Sequence, residues 1–445
     1  MNVLSRLSLS VVIVSLSLLS NTVNALEQTS AAKLLQSYQQ GLNALNIPKL
    51  ALSYVTNLKN MGSMAEIEQQ RQFFERNNKA LDIFLEESKN NIEFLKIKYE
   101  IELNLERLSL EKKFRQLNQG KQIPETGLAN VTMGKEWYKH FLKRWLSVDT
   151  PINELTEFGM QQIKVVQANI LAIQNTAGFV DDNDGFYQYL KQPKFALKDE
   201  NAVVNKYAEI DSAIRQNVGE IFEVTDIVPV KIAPIPDATK DSPPGTYRRH
   251  AADTFSFNFW QNTHNKRGMD FLYIHEAIPG HHYHLKELAK HHVISGDNAT
   301  TLYSVFMEGW AAYCEELGVE LGVYKKPTDW YGKYEWDLVR SVRVVMDIGL
   351  NHHQWSDKKA HQFWQDNITG QDDIAQREID RMRRWPAQVL TYKVGAAHIM
   401  KLKEATQKRL GAAFNIKQFH SVLLNDGGTV PLKLLATLVK KANEL

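Results

Sequence analysis

Candidate metal-binding side chains are concentrated in one short stretch, where a His-Glu pair and three further histidines fall within the ten residues from His275 to His284. Many metallopeptidases carry H-E-x-x-H on one helix, where the histidines at i and i+4 bind zinc and the Glu activates water. Here position i+4 from His275 is Pro279. The second histidine is therefore His281, at i+6, or His282, at i+7.

The spacing fits a metal only if the helix is broken. At about 100° per residue, the side chain at i+6 lies on a different face of a straight helix from that of His275. The side chain at i+7 shares that face but lies roughly 10.5 Å further along the axis, which is too far to share a metal through Zn–N bonds of about 2.1 Å. Pro279 removes the amide that would bond the carbonyl of His275, and Gly280 makes an unusual backbone angle inexpensive. We expect a distorted turn to bring His281 beside His275; imidazoles more than about 5 Å apart would refute it.

A third ligand is available in a later helical stretch, which runs from Glu308 to Leu317. Glu308 comes 27 residues after His281, and Glu315 lies two turns further on the same face. We interpret Glu308 as a ligand and Glu315 as the acceptor for the N–H of a ligating imidazole. The alternative is that both are solvated helix carboxylates.

The composition favours a helical soluble protein. The 445 residues suffice for two or three domains or for one large helical body. The 23 glycines and 13 prolines are few for this length, which argues against an all-β fold. A net charge of +2 gives no indication of a nucleic-acid partner.

The N-terminus has the pattern of a secretory signal peptide. Arg6 precedes an apolar run from Leu7 to Leu19, and Val23–Ala25 resembles a cleavage site, so we expect the mature chain to begin at Leu26. The run is short for a membrane span, and no Cys follows it, so no lipid anchor is expected; an uncleaved anchor is the alternative. We predict a periplasmic or secreted protein with no stable membrane span. Cys314 is alone, so no intrachain disulfide is expected.

Helices are predicted over most of the N-terminal half. No Gly or Pro occurs between Ser63 and Gln119, and a break near Asn77–Asn78 would fold this stretch into a helical hairpin. We interpret it as a scaffold, with a partner-binding arm as the alternative. Two helices separated by Asp149–Pro151 are predicted between Gly134 and Asn175, and another from Ala202 to Ile221.

A small sheet is predicted immediately before the His-Glu stretch. Val224–Ile235 is β-branched and, because of its prolines, is predicted as an edge strand. Pro236–Thr246 is turn-rich, and Thr254–Phe259 alternates as a second strand. An edge strand here could pair with an extended peptide substrate. A structural hairpin is the alternative.

Several cations could recognise a substrate. Arg340, Arg343 and Asp347 share one face of the helix that follows Pro327. Arg340, Arg343 or Lys393 could bind a substrate carboxylate, although an Arg343–Asp347 pair that braces the helix fits equally. His282, if it is not a ligand, is assigned to substrate binding. Asp347, like Glu315, is expected to support the metal-binding residues from behind.

The chain resembles the bacterial family DUF885, regarded as zinc metallopeptidases of the gluzincin clan. The long H-E-x-x-P-G-H motif with a downstream E-G-W-A is specific, and the resemblance is strong over about residues 240–440. The stretches that carry it are His275–His282, Glu308–Ala311, Glu335–Arg343, Asp347–Gly349, Arg381, Trp385–Pro386, Gln388 and Tyr392–Gly395.

The resemblance implies a mainly α fold: a large, helical, two-lobed metallopeptidase-like body with a small β-sheet next to a central zinc cleft. It implies His275, His281 and Glu308 as ligands of one Zn²⁺ and Glu276 as the catalytic carboxylate.

We expect a signal peptide over residues 1–25, an N-terminal helical region over 26–222 and a catalytic region over 223–445. Departures from the family pattern occur at His284 (usually Gln), Asn351 (often His) and Ala387 (usually Gly); the first two are expected at the substrate cleft.

The expected activity is metal-assisted hydrolysis of peptide bonds. Glu276 would take the proton of the attacking water, and Tyr392 would donate to the developing oxyanion. The alternatives are a zinc amidase acting on a non-peptide substrate, a non-catalytic periplasmic metal- or peptide-binding protein, and a cell-envelope interaction protein built on the residue 63–119 helices. Manganese or cobalt would suit similar donors. Cleavage at chain ends and cleavage within chains both stay open, as does the oligomeric state.

Overall fold

The computed structural model describes residues 31–223, 226–250, 252–294 and 301–443. The expected signal peptide and its cleavage site lie outside these residues. The described chain is mainly helical with two small sheets, which confirms the predicted fold class at that level. No helix in the described part of the chain is both long enough and apolar enough to cross a membrane.

Four of the five strands follow one another between α8 and α9, and the rest of the described chain is mainly helical. The helices are α1 (described over residues 31–43), α2 (Tyr54–Lys59), α3 (Met64–Glu87), α4 (Ile92–Asn118), α5 (Gly134–Leu146), α6 (Ile152–Thr176), α7 (Asn183–Leu190), α8 (Glu200–Asn217), α9 (Met269–Glu276), α10 (His281–Leu288), α11 (Ser304–Cys314), α12 (Tyr331–Asn351), α13 (Asp357–Asn367), α14 (Ala375–Arg384), α15 (Leu390–Leu410), α16 (Ile416–Asp426) and α17 (Leu435–Ala442). The strands are β1 (Ala196–Leu197), β2 (Lys231–Pro234), β3 (Gly245–Arg248), β4 (Thr254–Phe257) and β5 (His264–Asn265).

The chain divides into two compact units. The first comprises the described residues up to 50 together with residues 60–116, and the second comprises residues 51–59 together with the chain from residue 117 onwards. Residue 223, where the catalytic region was expected to begin, lies inside the second unit. All the candidate site residues belong to that unit.

The first unit contains the predicted helical hairpin, but its break is not at Asn77–Asn78. Helix α3 continues through these residues, and the Asn77 side chain donates to the carbonyl of Phe73 inside the helix. The chain turns instead between Glu87 and Ile92, where Asn91 Oδ1 accepts from the amide of Phe94 and so caps α4. Packing of α3 therefore outweighs the weak helix preference of the paired asparagines. The hydrophobic cluster that holds the unit together includes Tyr38, Ile67, Phe74, Leu81, Phe94, Ile101 and Leu108.

The three-stranded sheet has the order β2-β4-β3. Both predicted strands are present, but they pair in parallel, and the antiparallel neighbour of β4 is β3, which lies at the end of the stretch expected to be turn. All four residues of β4 are buried because it is the central strand. Strand β2, predicted as an edge strand, and strand β3 are the two edges of this sheet, and either could receive an extended peptide.

Helix α12 lies at the centre of the second unit and is buried along most of its length. Helix α6 packs along it, and α11 packs against α15. Gly309 and Gly395 make the latter approach close: a Cβ on Gly309 would lie 2.5 Å from the backbone of Gly395. These two glycines thus bring the helix that carries Glu308 against the helix that carries Tyr392.

Candidate metal centre

A break between two helices places the two predicted histidine ligands. Helix α9 ends at Glu276 and α10 begins at His281, and the intervening Ile278–Pro279 peptide bond is cis. Gly280 is needed because a Cβ there would lie 1.9 Å from the carbonyl oxygen of His275. The indole Nε1 of Trp310 donates to the Pro279 carbonyl at 2.9 Å and ties the turn to α11.

The imidazoles of His275 and His281 meet across this turn. Their ring centroids are 4.8 Å apart and their planes are nearly perpendicular, at 87°. The separation lies inside the limit of about 5 Å that shared zinc coordination sets. His282 lies elsewhere: its Nε2 donates to the carbonyl of Val228 at 2.9 Å, and its ring packs against Tyr247.

Glu308, on α11, closes a triangle with the two histidines. Its Oε2 lies 3.3 Å from Nε2 of His281 and 3.7 Å from Nε2 of His275. Tetrahedral coordination with bonds of about 2.1 Å places neighbouring ligand atoms roughly 3.4 Å apart. One ligand atom from each of the three residues falls within 4.8 Å of the others. The structure therefore brings together a donor set of two imidazoles and one carboxylate.

The orientation of His275 is fixed from behind by Glu315. Nδ1 of His275 donates to Glu315 Oε1 at 2.7 Å, and Arg340 donates to the other oxygen, Oε2, also at 2.7 Å. Glu315 is fully buried. Because Nδ1 donates to Glu315, Nε2, which faces Glu308, is the nitrogen that would bind a metal after losing its proton.

The electrostatics of the site favour a cation at its centre. Burial alone would lower the pKa of His275, but hydrogen bonds to Glu308 and Glu315 raise it to about 9. Burial would raise the pKa of Glu308, but the charges of His281 and His275 and their hydrogen bonds hold it well below its usual range. The two carboxylates thus stabilise positive charge between them, as a metal site requires.

Glu276 contacts the edge of the sheet rather than the ligand triangle. Its Oε2 accepts a hydrogen bond of 2.7 Å from the backbone amide of Tyr247, in β3. In an antiparallel pair the N–H and C=O of one residue point to the same side. Both groups of Tyr247 therefore face away from β4. The free edge of β3 and the carboxylate of Glu276 thus lie side by side, which the sequence did not indicate because β3 was read as turn.

Tyr392 lies beside His275, one of the predicted metal ligands. Its ring stacks near that of His275, with centroids 6.3 Å apart and planes 20° apart. Its hydroxyl accepts from the guanidinium of Arg381 at 3.2 Å, which leaves the phenolic hydrogen free to donate. Burial and the charge of Glu308 raise the pKa of Tyr392, so the phenol stays protonated at neutral pH.

The predicted substrate-binding cations are already paired with carboxylates. Arg340 bonds Glu315, as described, and the two remaining pairs join Arg343 to Glu378 at 2.7 Å and Lys393 to Asp337 at 2.6 Å. We call these two pairs the α12 ion pairs. All four of their members are buried. The cations therefore brace the interior.

Asp347 is buried away from Arg343, with which it could have formed a helix-bracing pair. It accepts from the hydroxyl of Tyr138 at 2.6 Å and from the backbone amide of Ala387 at 3.0 Å. Burial raises the pKa of Asp347 to about 7. It supports the turn before α15, where Ala387 takes a positive φ of 68°.

The two departures expected at the substrate cleft are packed inside the protein. His284 is fully buried against Phe306, and burial lowers its pKa to about 3. The Asn351 side chain donates to the carbonyls of Asp347 and Met382. Neither residue therefore offers a polar group to an extended substrate.

Arg381 lies next to Tyr392 and was not among the residues predicted for the site. Besides Tyr392, it donates to Oε1 of Gln388 at 2.9 Å. Arg381 and Gln388 both belong to the stretches that carry the family resemblance, and that was the available signal. Their distance along the chain from the His-Glu stretch hid the contact.

Comparisons with known proteins agree on the family and the fold. The model of the DUF885 family, described as "Bacterial protein of unknown function", matches residues 14–439. A solved structure described as a putative lipoprotein from Colwellia psychrerythraea is 21% identical, with a TM-score of 0.65, over 88% of this chain and 69% of that one. A putative lipoprotein of unknown function from Shewanella oneidensis is 19% identical, with a TM-score of 0.56, over 91% and 72%. No curated protein matches the chain.

Proposed function

This chain belongs to the DUF885 family of bacterial proteins, and from that premise we propose that it is an exported zinc-dependent peptidase. The observation that carries the proposal is the convergence of His275, His281 and Glu308, with Nε2 of His275 directed inward by the hydrogen bond from its Nδ1 to Glu315. Export is supported by the signal-like N-terminus and by the lipoprotein descriptions of the two similar structures.

The donor set fits zinc. Two imidazoles and one carboxylate are the ligands of a common catalytic zinc class, and the separations of 3.3 and 3.7 Å from Glu308 are close to those of a tetrahedron. Zinc held in this way acts as a Lewis acid and makes water acidic enough to ionise near neutral pH. The buried hydrogen bond from His275 to Glu315 is the kind of supporting contact that such ligands require.

Glu276 is the proposed general base. Its Oε2 is held by the Tyr247 amide, and no hydrogen bond to its Oε1 occurs among the described residues. Glu276 takes one proton from the attacking water while the oxygen bonds to the scissile carbonyl carbon. It returns that proton to the amide nitrogen as the C–N bond breaks, so the products are one carboxylic acid and one amine.

Tyr392 and β3 are the proposed groups that stabilise the oxyanion and bind the main chain of the substrate. The free phenolic hydrogen of Tyr392 donates to the oxygen on which negative charge develops. The outer edge of β3, where the carbonyl of Tyr247 points away from β4, offers backbone groups to an extended chain beside Glu276. This edge favours a peptide over a non-peptide amide, because it recognises main chain rather than a particular side chain.

Metal analysis combined with peptide digestion tests the proposal. We expect one zinc per chain and chelator-sensitive cleavage of a mixed peptide pool, read by mass spectrometry. Two adjacent substitutions make a matched pair: His281→Gln should lose the zinc, whereas His282→Gln should keep it. A native protein that contains no metal, and binds none when zinc is supplied, contradicts the proposal. Zinc binding without hydrolysis of any peptide would support a non-catalytic metal-binding protein.

A further inference from the structure

One cation near the metal centre lacks a carboxylate partner. Among the described residues, Arg381 makes its hydrogen bonds to two neutral acceptors, Gln388 and Tyr392, and has no carboxylate within 4 Å. Arg381 is half-buried, whereas the fully buried cations of this region each lie within 3 Å of an acidic side chain: Lys333–Glu316, Arg340–Glu315, Arg343–Glu378 and Lys393–Asp337.

The Arg381 guanidinium has one nitrogen left for a ligand. Its Nε is buried without an acceptor, and Nη2 already donates to both Gln388 and Tyr392, so Nη1 is the nitrogen that remains. The charges of Glu378 and Glu308 favour the guanidinium from a greater distance, and a carboxylate bound at Nη1 would supply the direct partner that they do not. A guanidinium nitrogen without a direct anionic partner is what a binding site for an anionic group presents when that group is absent.

The position of Arg381 limits where such an anion would lie along a substrate. Its guanidinium is 3.2 Å from the Tyr392 hydroxyl, and the Tyr392 ring stacks near that of His275. A carboxylate bound to another nitrogen of Arg381 by a hydrogen bond of about 2.8 Å would lie within about 8 Å of that hydroxyl. An extended residue spans about 3.3 to 3.6 Å, so this distance corresponds to one or two residues.

We propose that Arg381 binds the free α-carboxylate of a peptide, so that the protein removes one or two residues from the C-terminal end. This inference rests on the proposed peptidase function and specifies its substrate class. It gives Arg381 a role in specificity, because a peptide that ends in an amide would leave the guanidinium unpaired.

Binding to the metal-free protein tests the inference without turnover. The probes are two peptide pools of identical sequences, one with free C-terminal acids and one with C-terminal amides. Each is passed over immobilised metal-free protein, and retention is quantified by mass spectrometry. We expect roughly ten- to a hundred-fold stronger retention of the acids. Equal retention of the two pools, including no retention of either, overturns the proposal.

Substitutions assign the preference to Arg381. Arg381→Gln should abolish the difference between acids and amides, and Arg381→Lys should restore part of it, because the charge returns without the fork. Arg384→Gln is the matched control, since Arg384 is an exposed arginine on the same helix. Thermal melts of all three variants show whether they are folded. A preference for acids that survives Arg381→Gln in folded protein overturns the assignment.

Kinetics of the zinc-loaded protein show whether Arg381 anchors the substrate carboxylate or acts on the reaction through Tyr392. An anchor predicts that Arg381→Gln raises KM for free-acid peptides and leaves amidated peptides unchanged. Equal loss of kcat on both pools overturns the proposal, because it shows that Arg381 acts on the reaction through Tyr392. Zinc-dependent cleavage within amidated chains would overturn the inference and leave the peptidase intact. A preference for free-acid peptides without any hydrolysis would overturn the proposed peptidase function and support only the recognition of a carboxylate by Arg381.

Discussion

The candidate metal centre and the α12 ion pairs use carboxylates to opposite effect. Arg343 and Lys393 each lie against a buried carboxylate, and nothing in these pairs calls for a further ligand. At the metal centre Glu308 faces two imidazole nitrogens, and no Arg or Lys lies within ion-pair distance of it in the described chain. Matched charges therefore brace the interior, whereas unmatched ones mark where a metal and a substrate would bind.

Arg340 belongs to both regions. It lies on α12 like Arg343, yet its partner Glu315 orients the ligand His275. A charge can therefore be satisfied and still influence the metal through one intermediate side chain. The comparison predicts that substitutions in the α12 ion pairs change stability, whereas substitutions around His275 change metal affinity or rate.

The largest effect is expected from breaking an α12 ion pair on one side. Glu378→Met leaves Arg343 charged and buried without a partner and should lower the free energy of unfolding by about 3–5 kcal/mol. The double substitution Glu378→Met with Arg343→Met should recover most of that loss. Urea denaturation measures both, and zinc per folded chain should not change. A loss below about 1 kcal/mol in the single variant would contradict the bracing role.

The next effect concerns the rate. Glu276→Gln keeps the shape of the side chain and removes its basicity, so kcat should fall at least about 100-fold while the zinc content stays the same. The control is Glu404→Gln, an exposed carboxylate on α15. Metal analysis and steady-state kinetics on the same preparation check both parts. Retained activity would remove Glu276 from the mechanism.

A smaller effect is expected in metal affinity. Glu315→Gln retains an acceptor for His275 but loses the charge, so zinc affinity should fall about 10- to 100-fold. Glu316→Gln, one residue further, is the control: Glu316 pairs with Lys333, so its loss should lower stability without changing zinc affinity. Competition with a chromogenic chelator measures the affinities. Equal zinc affinities in the two variants would show that Glu315 does not support the ligand.

The smallest effect belongs to the turn that Asp347 holds. Ala387 takes a left-handed conformation that costs an L-residue roughly 1–2 kcal/mol, and glycine avoids this at an entropic cost of about 0.5–1 kcal/mol. Ala387→Gly should therefore raise the free energy of unfolding by about 0.5–1 kcal/mol and leave zinc affinity and kcat unchanged. Denaturation midpoints at constant slope test this. Destabilisation would mean that packing of the methyl group dominates.

The parts of the site that follow from local spacing could be predicted from the sequence. Pro279 and Gly280 indicated that His281 would return beside His275, and the interval from Glu308 to Glu315 indicated two carboxylates on one face. Helix α12 and the strands β2 and β4 could also be predicted from the local pattern of residues.

The parts that depend on choosing partners between distant segments could not be predicted. Arg343 could have paired with Asp347 four residues away, but its partner is Glu378, on another helix. Strand β3 has little strand character and forms because β4 offers it a ladder. The hairpin breaks at Asn91 rather than Asn77 because packing decides between similar local signals.

The hydrogen bond between Glu276 and the Tyr247 amide has a consequence for how this protein can diverge. The donor is main chain, so apart from proline every amino acid at position 247 supplies it. Mutational drift at that position can therefore reshape the surface met by a substrate while the orientation of the carboxylate is inherited unchanged. Substrate preference and the orientation of the proposed general base could therefore change independently at this residue.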